Sequence, residues 1–207
     1  MAESSKDANR KLSIADEEEE EEAAIDEDLS PSLDKLSIGR KKKLLVLSLG
    51  GLLVHRVHKK EKRTVRGLRA DVTYGAFLVF KRPFCTDFLK FCFERFDVAL
   101  WSSAREHNIE CFLSSVADGE ENKFVFVWSQ SECSDSGFYS LHKDEKPLFV
   151  KELKRIWYNK TFKARYSAAN TLLIDNEPHT ALLNPPDTAI FPHAYKTHNP
   201  DDTFLCK

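Results

Sequence analysis

Residues 44–54, which read L-L-V-L-S-L-G-G-L-L-V, are the stretch that decides the fold. An unbroken apolar run of this length, interrupted by a glycine pair, is typical of a buried parallel strand that opens into a tight turn. It is too short to span a bilayer, which takes about 20 apolar residues. Chemistry in α/β proteins usually lies where such a strand ends. Here that end carries Ser48, Gly50 and Gly51, and no carboxylate.

Strands and helices alternate along the rest of the chain. The predicted buried strands lie within residues 44–54, 98–101, 124–128, 171–174 and 189–191. The predicted helices cover residues 81–96, from Ser103 as N-cap to about 116, and from Pro147 to 157. Between these elements, residues 55–79 are predicted to form short antiparallel strands or a flap, and residues 130–145 a loop or small insert. This order predicts an α/β fold, a Rossmann-like doubly wound parallel sheet with a small β flap.

Charge divides the chain into an acidic leader and a basic remainder. Residues 1–40 carry 13 acidic and 5 basic side chains, whereas the remaining residues carry 20 acidic and 26 basic ones. The leader cannot bury enough apolar surface to offset chain entropy and is predicted to be disordered. We therefore expect a disordered acidic leader at residues 1–40, one domain at 41–195 and a polar tail at 196–207.

Targeting and redox signals favour the nucleus or cytoplasm. The first 30 residues lack an apolar signal-peptide core, and residues 16–22 are seven consecutive acids, which a mitochondrial transit peptide avoids. No segment is long enough to span a membrane. The five cysteines form no C-x-x-C pair, which indicates a reducing compartment. No direct nucleic-acid binding is expected.

Polar residues at the strand ends form a candidate site. Because right-handed crossovers place the carboxyl ends of parallel strands at one edge, these residues should converge. Small hydroxyls, a lysine and backbone amides together favour an anion of phosphate size. Capping of strand ends is the structural alternative for the same residue types. The candidates are Ser48, Ser102 and Ser103, Asp175 and Asn176, the N–H groups of Gly50 and Gly51, and either Lys151 or Lys154.

Five ordered motifs resemble one family. They are K-K-L-L-V-L at 42–47, K-R-P-F at 81–84, V-A-L-W-S-S-A at 98–104, K-P-L-F-V-K-E-L at 146–153 and L-L-I-D-N-E-P at 172–178. This pattern is similar to the haloacid dehalogenase superfamily, in its branch of phosphatases that act on the C-terminal domain of RNA polymerase II. It looks like the NLI-interacting-factor-like domain of plant type. The resemblance implies the haloacid dehalogenase fold.

The resemblance also implies a mechanism whose reacting groups are missing here. In the family, motif one is D-x-D-x-[TV]: its first Asp attacks phosphorus, its second exchanges a proton, and Mg²⁺ neutralises the phosphoryl oxygens. This chain has Ser48 and Gly50 at the two Asp positions. Ser102 of motif two, Lys151 of motif three and Asp175 with Asn176 of motif four remain.

The resemblance therefore leads to a catalytically inactive phosphatase-like domain that binds a phosphorylated peptide or protein through Ser102, Lys151, Gly50 and Gly51. No catalytic residue and no cofactor are expected, and Asp175 and Asn176 are at most a vestigial Mg²⁺ site. One alternative is an active Mg²⁺-dependent Ser/Thr phosphatase. A second is a mitochondrial import receptor, which belongs to the same branch but which the acidic leader disfavours. The family's last helix is missing after Pro192, which would leave sheet surface exposed.

Overall fold

The computed structural model describes residues 42–140, 143–199 and 201–206, apart from the side chains of residues 143–145. The predicted acidic leader lies outside the described residues. The strands are β1 (Leu44–Leu47), β2 (Val54–His58), β3 (Val72–Tyr74), β4 (Phe77–Lys81), β5 (Asp97–Trp101), β6 (Phe124–Trp128), β7 (Ser134–Ser140), β8 (Lys143–Val150), β9 (Thr171–Ile174) and β10 (Ala189–Ile190). The α-helices are α1 (Cys85–Arg95), α2 (Glu106–Ala117) and α3 (Lys154–Trp157).

A five-stranded sheet in the order β10–β9–β1–β5–β6 forms the centre. Each neighbouring pair in it is parallel, with Leu47 at the end of β1 beside Leu100 of β5 and Ile174 of β9. The predicted α/β fold with a parallel sheet is confirmed. The parallel arrangement also brings the carboxyl ends of β1, β5 and β9 to one edge, as expected.

Both faces of β1 are buried, which explains its continuous apolar run. Leu45 and Leu47 belong to a core cluster that also contains the buried faces of α1 and α2. Leu44 and Val46 point the other way and pack in a second cluster with residues of β5 and α3. The alternation follows from the two-residue period of a strand. Burying one Leu side chain contributes about 1.5–3 kcal/mol. Because its side chains are buried in both core clusters, β1 stabilises the packing on both faces of the sheet.

The predicted flap is present beside the central sheet. Strands β2, β4 and β3 pair antiparallel in that order, and a 3₁₀ helix at Lys59–Val65 lies between β2 and β3. A small third cluster, built on Val57, Val65 and Phe80, packs this unit internally. The flap therefore has its own apolar support.

Of the two alternatives for residues 130–145, the small insert is present, as part of the antiparallel hairpin of β7 and β8. The helix predicted from Pro147 to 157 was wrong, because α3 covers only one turn. Pro147 lies in β8 opposite Tyr139. In a two-stranded hairpin each strand is an edge strand, where proline is tolerated and polar residues can remain solvated. The polar composition of this segment therefore did not distinguish a hairpin from a loop.

The predicted N-cap of α2 was also wrong. The cap position belongs to Arg105, without a side-chain capping bond, and the helix begins at Glu106. The hydroxyl of Ser102 accepts a hydrogen bond of 3.1 Å from the N–H of Ala104 instead. A serine-led turn therefore precedes the helix, and Ser103 is left to line a cavity.

Residues 196–207 were expected to form a polar tail, and their described part packs against the domain instead. Leu205 is 6% exposed and belongs to the core cluster of α1 and α2. The Asp202 carboxylate binds the guanidinium of Arg82 through two hydrogen bonds of 2.8 and 2.9 Å. Burial raises the pKa of Asp202, but the hydrogen bonds from Arg82 and from the Phe204 N–H outweigh it and bring it below the usual value. Polar residues are usually exposed, but the ion pair with Arg82 allows the Asp202 side chain to be buried. The polar composition of the segment therefore gave the wrong prediction.

Among the residues described, no helix is both long and apolar enough to cross a membrane. The five cysteines are all free, and three of them are buried. For Cys85 and Cys92, burial raises the pKa of the thiol to about 12. These two side chains therefore act as small apolar groups of the core.

Candidate functional site

Ser48 directly follows β1 and is held in place by the neighbouring strand. Its N–H donates a hydrogen bond of 2.9 Å to the carbonyl of Ile174, which continues the pairing of β1 with β9. The side chain is 5% exposed. Its hydroxyl therefore points into a restricted space at the carboxyl edge of the sheet.

Lys151 reaches the same space from the segment after β8. Its ammonium donates hydrogen bonds to Oδ2 of Asp175 at 2.7 Å and to Oγ of Ser48 at 3.2 Å. The N–H of Lys151 donates to the carbonyl of Thr180, and its carbonyl accepts a hydrogen bond from the side chain of Asn184. Lys151 and Asp175 are 1% and 2% exposed. The structure thus selects Lys151 over Lys154, whose ammonium binds Glu152.

Ser102 and Ser103 follow β5 and face the same edge. Ser102 is buried, and its N–H donates to the carbonyl of Trp128. Both serines line the cavity that contains Ser48 and Asp175. The predicted convergence of the strand ends is therefore present in the structure.

The glycine pair supports the site in two different ways. Gly51 has a φ of +78°, and its N–H donates a hydrogen bond of 2.8 Å to the carbonyl of Val54. That N–H is committed to the turn, so the predicted anion cradle cannot use it. The N–H of Gly50 has no partner among the described residues and borders the cavity. Of the two glycines, Gly50 therefore offers a free amide and Gly51 does not.

The cavity has a volume of about 340 Å³ and a basic lining. Arg56, Lys146 and Lys196 contribute three cationic side chains to the lining, against the carboxylates of Asp175 and Glu177. Lys151 lies behind this lining, bonded to Ser48 and Asp175. The three lining cations were missed at the level of sequence: Arg56 comes from the flap, Lys146 from β8 and Lys196 from the C-terminal segment. Lys146 lay within a matched motif, but its separation from Ser48 along the chain gave no sign that it lines the same cavity. The extra cations favour an anionic ligand.

His55 joins the flap to the C-terminal segment along the cavity wall. Its Nδ1 accepts a hydrogen bond of 3.2 Å from the N–H of Thr197 and lies 3.2 Å from the Thr197 hydroxyl. Burial, with the nearby charges of His198 and Lys196, holds the pKa of His55 below its usual value of 6.5. The contact requires an unprotonated Nδ1, because this atom accepts the hydrogen bond from Thr197, and the lowered pKa favours that form.

The donor set does not fit a resident Mg²⁺ ion. Both oxygens of Asp175 are engaged: Oδ2 by Lys151 and Oδ1 by the N–H of Glu177 at 3.0 Å. Oδ1 of Asn176 is buried and has no hydrogen-bond partner. Within residues 42–140, 143–199 and 201–206, no three His, Cys, Asp or Glu side chains are grouped to hold a metal ion. Mg²⁺ is usually bound through carboxylates that are free to coordinate it.

Comparisons with known proteins agree with this architecture. An uncharacterized FCP1 homology domain-containing protein of Schizosaccharomyces pombe is 26% identical over 153 residues, which cover 70% of this chain and 58% of that protein. The fission yeast RNA polymerase II CTD phosphatase Fcp1 bound to beryllium fluoride superposes with a TM-score of 0.51 at 14% identity, covering 75% of this chain and 42% of the other. A second structure of Fcp1, described as an essential RNA polymerase II CTD phosphatase, gives 0.50 at 17% identity, covering 75% and 43%. The structural likenesses show the fold alone.

A family model described as NLI interacting factor-like phosphatase matches residues 43–207. The match includes the strand ends that carry Ser48, Ser102, Lys151 and Asp175, and it extends over the C-terminal segment that packs on Arg82. The resemblance inferred from the five motifs is confirmed. The chain belongs to the NLI interacting factor-like phosphatase family.

Proposed function

We propose that this chain is a catalytically inactive phosphatase-like domain that binds a phosphorylated Ser or Thr side chain of a peptide or protein. The observation that carries the proposal is the environment of Ser48. A hydroxyl that accepts a hydrogen bond from Lys151 stands where the family has its nucleophilic carboxylate. The cavity is lined by only two carboxylates, Asp175 and Glu177, and both are ion-paired.

The chemistry available to Ser48 supports inactivity. A serine needs a base to remove its proton before it attacks phosphorus. The polar side chain hydrogen-bonded to its hydroxyl is Lys151, whose ammonium donates to Ser48 and is ion-paired with Asp175, so it is not such a base. Loss of the nucleophile alone reduces turnover of a serine protease roughly 10⁶-fold. This chain lacks the nucleophile and the acid–base group of motif one together.

The charge of the cavity supports binding. Two fewer carboxylates than in the family motif reduce repulsion of an incoming phosphate, and three cations, Arg56, Lys146 and Lys196, line the space. The free N–H of Gly50 and the hydroxyl of Ser102 provide neutral donors of the kind that hold phosphate oxygens. Lys151, whose ammonium is ion-paired with Asp175, lies behind the Ser48 hydroxyl in a region of low dielectric, where electrostatic interactions are less screened than at the surface.

Titration with fluorescent peptides tests the proposal. The wild-type chain should bind peptides that contain phosphoserine or phosphothreonine at least about tenfold more tightly than their unphosphorylated forms. Lys151→Ala should remove most of this difference. Because that change leaves Asp175 without a partner, Ser102→Ala, which alters only one hydroxyl, provides a second variant. Lys90→Gln, on an exposed part of α1, is the control. Equal binding of phosphorylated and unphosphorylated peptides would contradict the proposal.

An active phosphatase is the second candidate, since the Ser48 hydroxyl lines the cavity. Hydrolysis of para-nitrophenyl phosphate with and without Mg²⁺ distinguishes the two. We expect no turnover above the blank. Turnover that Asp175→Ala abolishes would favour the enzyme. The mitochondrial alternative rests on family resemblance only, and imaging of a tagged full-length chain decides it.

A further inference from the structure

A second cavity of about 230 Å³ adjoins the candidate site. The two cavities share Ser103, Lys146 and Glu177 as lining residues. The second one opens between the loop after β5, strand β8 and the turn after β9. Because they share these residues, the two cavities are neighbours, and one ligand with two anionic groups can reach both.

The second cavity is also basic. Its charged lining consists of Arg105, Lys146 and Glu177, with His179 beside them. The guanidinium of Arg105 is exposed and has no ion-pair or hydrogen-bond partner among the described residues. Arginine binds phosphate and carboxylate groups through paired N–H donors, so this side chain is a free anion-binding group.

The ion pairs within this cavity are weak enough to exchange. Glu177 lies 3.4 Å from the ammonium of Lys146 and 3.5 Å from Nε2 of His179, and all three side chains are partly exposed. Exposed pairs of this length contribute little to stability. An incoming anion can therefore take over Lys146 at little cost, while Arg105 supplies a new charge-assisted contact.

We propose that this cavity is a second anion subsite, formed by Arg105, Lys146 and His179, which binds an acidic or phosphorylated side chain a few residues from the phosphorylated residue in the first cavity. Pro147 and Phe149 add an apolar wall for the peptide between the two groups. The proposal rests on the proposed function and names its ligand more closely, as a peptide with two anionic side chains. The shared chemistry is a carboxylate or phosphate oxyanion.

The test uses peptides with one fixed phosphoserine and a second position that carries serine, glutamate or phosphoserine, placed two to four residues away on either side. Affinity for the full chain is measured at two salt concentrations. A second phosphate at one of these spacings should tighten binding about five- to tenfold, and glutamate should do so by less. This gain in affinity should shrink at high salt, because Arg105 and the second anionic side chain of the peptide meet at an exposed site where salt screens their attraction.

Arg105→Gln should abolish the gain from the second anion and leave affinity for the singly phosphorylated peptide unchanged. Since the Arg105 side chain makes no capping bond to α2, the variant should fold normally. Arg66→Gln, exposed in the flap, is the matched control. If the singly phosphorylated peptide binds and no second anion improves it, or if Arg105→Gln retains the gain, the subsite is wrong. If phosphorylation has no effect at all, the proposed function itself fails.

Discussion

Gly51 shows how one residue determines the shape of the site. A Cβ at this position would lie 2.4 Å from Oδ1 and 2.5 Å from Cγ of Asn176, and the φ of +78° lies in the region that favours glycine. The contact is between the motif-one turn and the motif-four loop, so glycine allows these two loops to approach each other. At Gly50 a Cβ would meet no heavy atom within 4 Å, and φ is not positive.

The two glycines should therefore differ in their tolerance of alanine. Gly51→Ala should lower the free energy of unfolding by about 1–3 kcal/mol, because it combines a strained φ with a clash. Gly50→Ala should change it by less than about 0.5 kcal/mol, since the residue is exposed and unobstructed. Urea denaturation of both variants measures the difference. Equal losses at the two positions would refute this account of the turn.

At the scale of elements, residues 194–196 form one wall of the candidate site, and described residues that follow them up to 206 attach this wall to the domain. Tyr195 donates its N–H to the carbonyl of Gly51, and Lys196 lines the cavity. Asp202 ties the same segment to Arg82, with side chains that are 8% and 2% exposed. His55 completes the attachment through Thr197. The wall therefore depends on polar contacts as well as on the burial of Leu205.

The attachment through His55 should depend on pH. Because the folded state holds the pKa of His55 below 6.5, the unfolded chain binds the proton more strongly. Stability from this contact is fully present above pH 6.5 and is lost as the pH falls through the lower folded-state value. The free energy of unfolding of the wild type should therefore rise between about pH 5 and 7, and more steeply than that of His55→Asn.

Chemical denaturation at several pH values measures this slope. His107→Asn, on the exposed side of α2, is the control and should keep the wild-type profile. The groups that face His55 are Thr197, Tyr195, Lys196 and His198, and because the charge of His198 contributes to the lowered pKa of His55, His198→Asn is measured alongside. If His55→Asn keeps the slope and His198→Asn removes it, the pH dependence belongs to His198 instead.

At the scale of the whole molecule, the chain has the fold of a phosphatase family, with Ser48 and Gly50 at the positions that we align with the two Asp of motif one. Ser48, Lys151 and Asp175 occupy adjacent positions at the edge of the parallel sheet, as the motif order predicted. The space at Gly50 is open, and Ser48 faces an ammonium that would pair with a carboxylate. The fold therefore does not itself prevent restoration of the missing acids.

The double variant Ser48→Asp, Gly50→Asp should gain Mg²⁺-dependent hydrolysis of para-nitrophenyl phosphate, at least about tenfold above the wild-type background. The matched control is Ser48→Asn, Gly50→Asn, which has nearly the same shape but no carboxylates. Circular dichroism confirms that both variants are folded. A folded double variant without turnover would show that more than motif one has been lost.

Local sequence patterns were sufficient to predict the elements whose residues repeat with a regular period. The parallel sheet followed from apolar runs that are buried on both faces, as at Leu44–Leu47. The flap followed from short β-forming segments separated by glycines. The convergence of Ser48, Ser102 and Asp175 followed from topology alone, because parallel strands with right-handed crossovers end at one edge.

The hairpin and the C-terminal segment could not be predicted in the same way. The residues of β7 and β8 are mostly polar, since a two-stranded hairpin exposes both faces, and their composition resembles that of a loop. Residues 196–206 also look solvated in sequence. The burial of Asp202 in this segment depends on Arg82, which is 120 residues away along the chain. A contact over that separation leaves no local period in the sequence.

By itself the sequence determined the family, the sheet and the loss of the motif-one acids, because each of these is written in consecutive residues. Only the tertiary structure decided that both oxygens of Asp175 are occupied, that Lys151 binds Ser48 across 103 residues, and that Arg56 and Lys196 add charge to the cavity. The physical reason is that hydrogen bonds and charge depend on distances in space, which chain order does not specify.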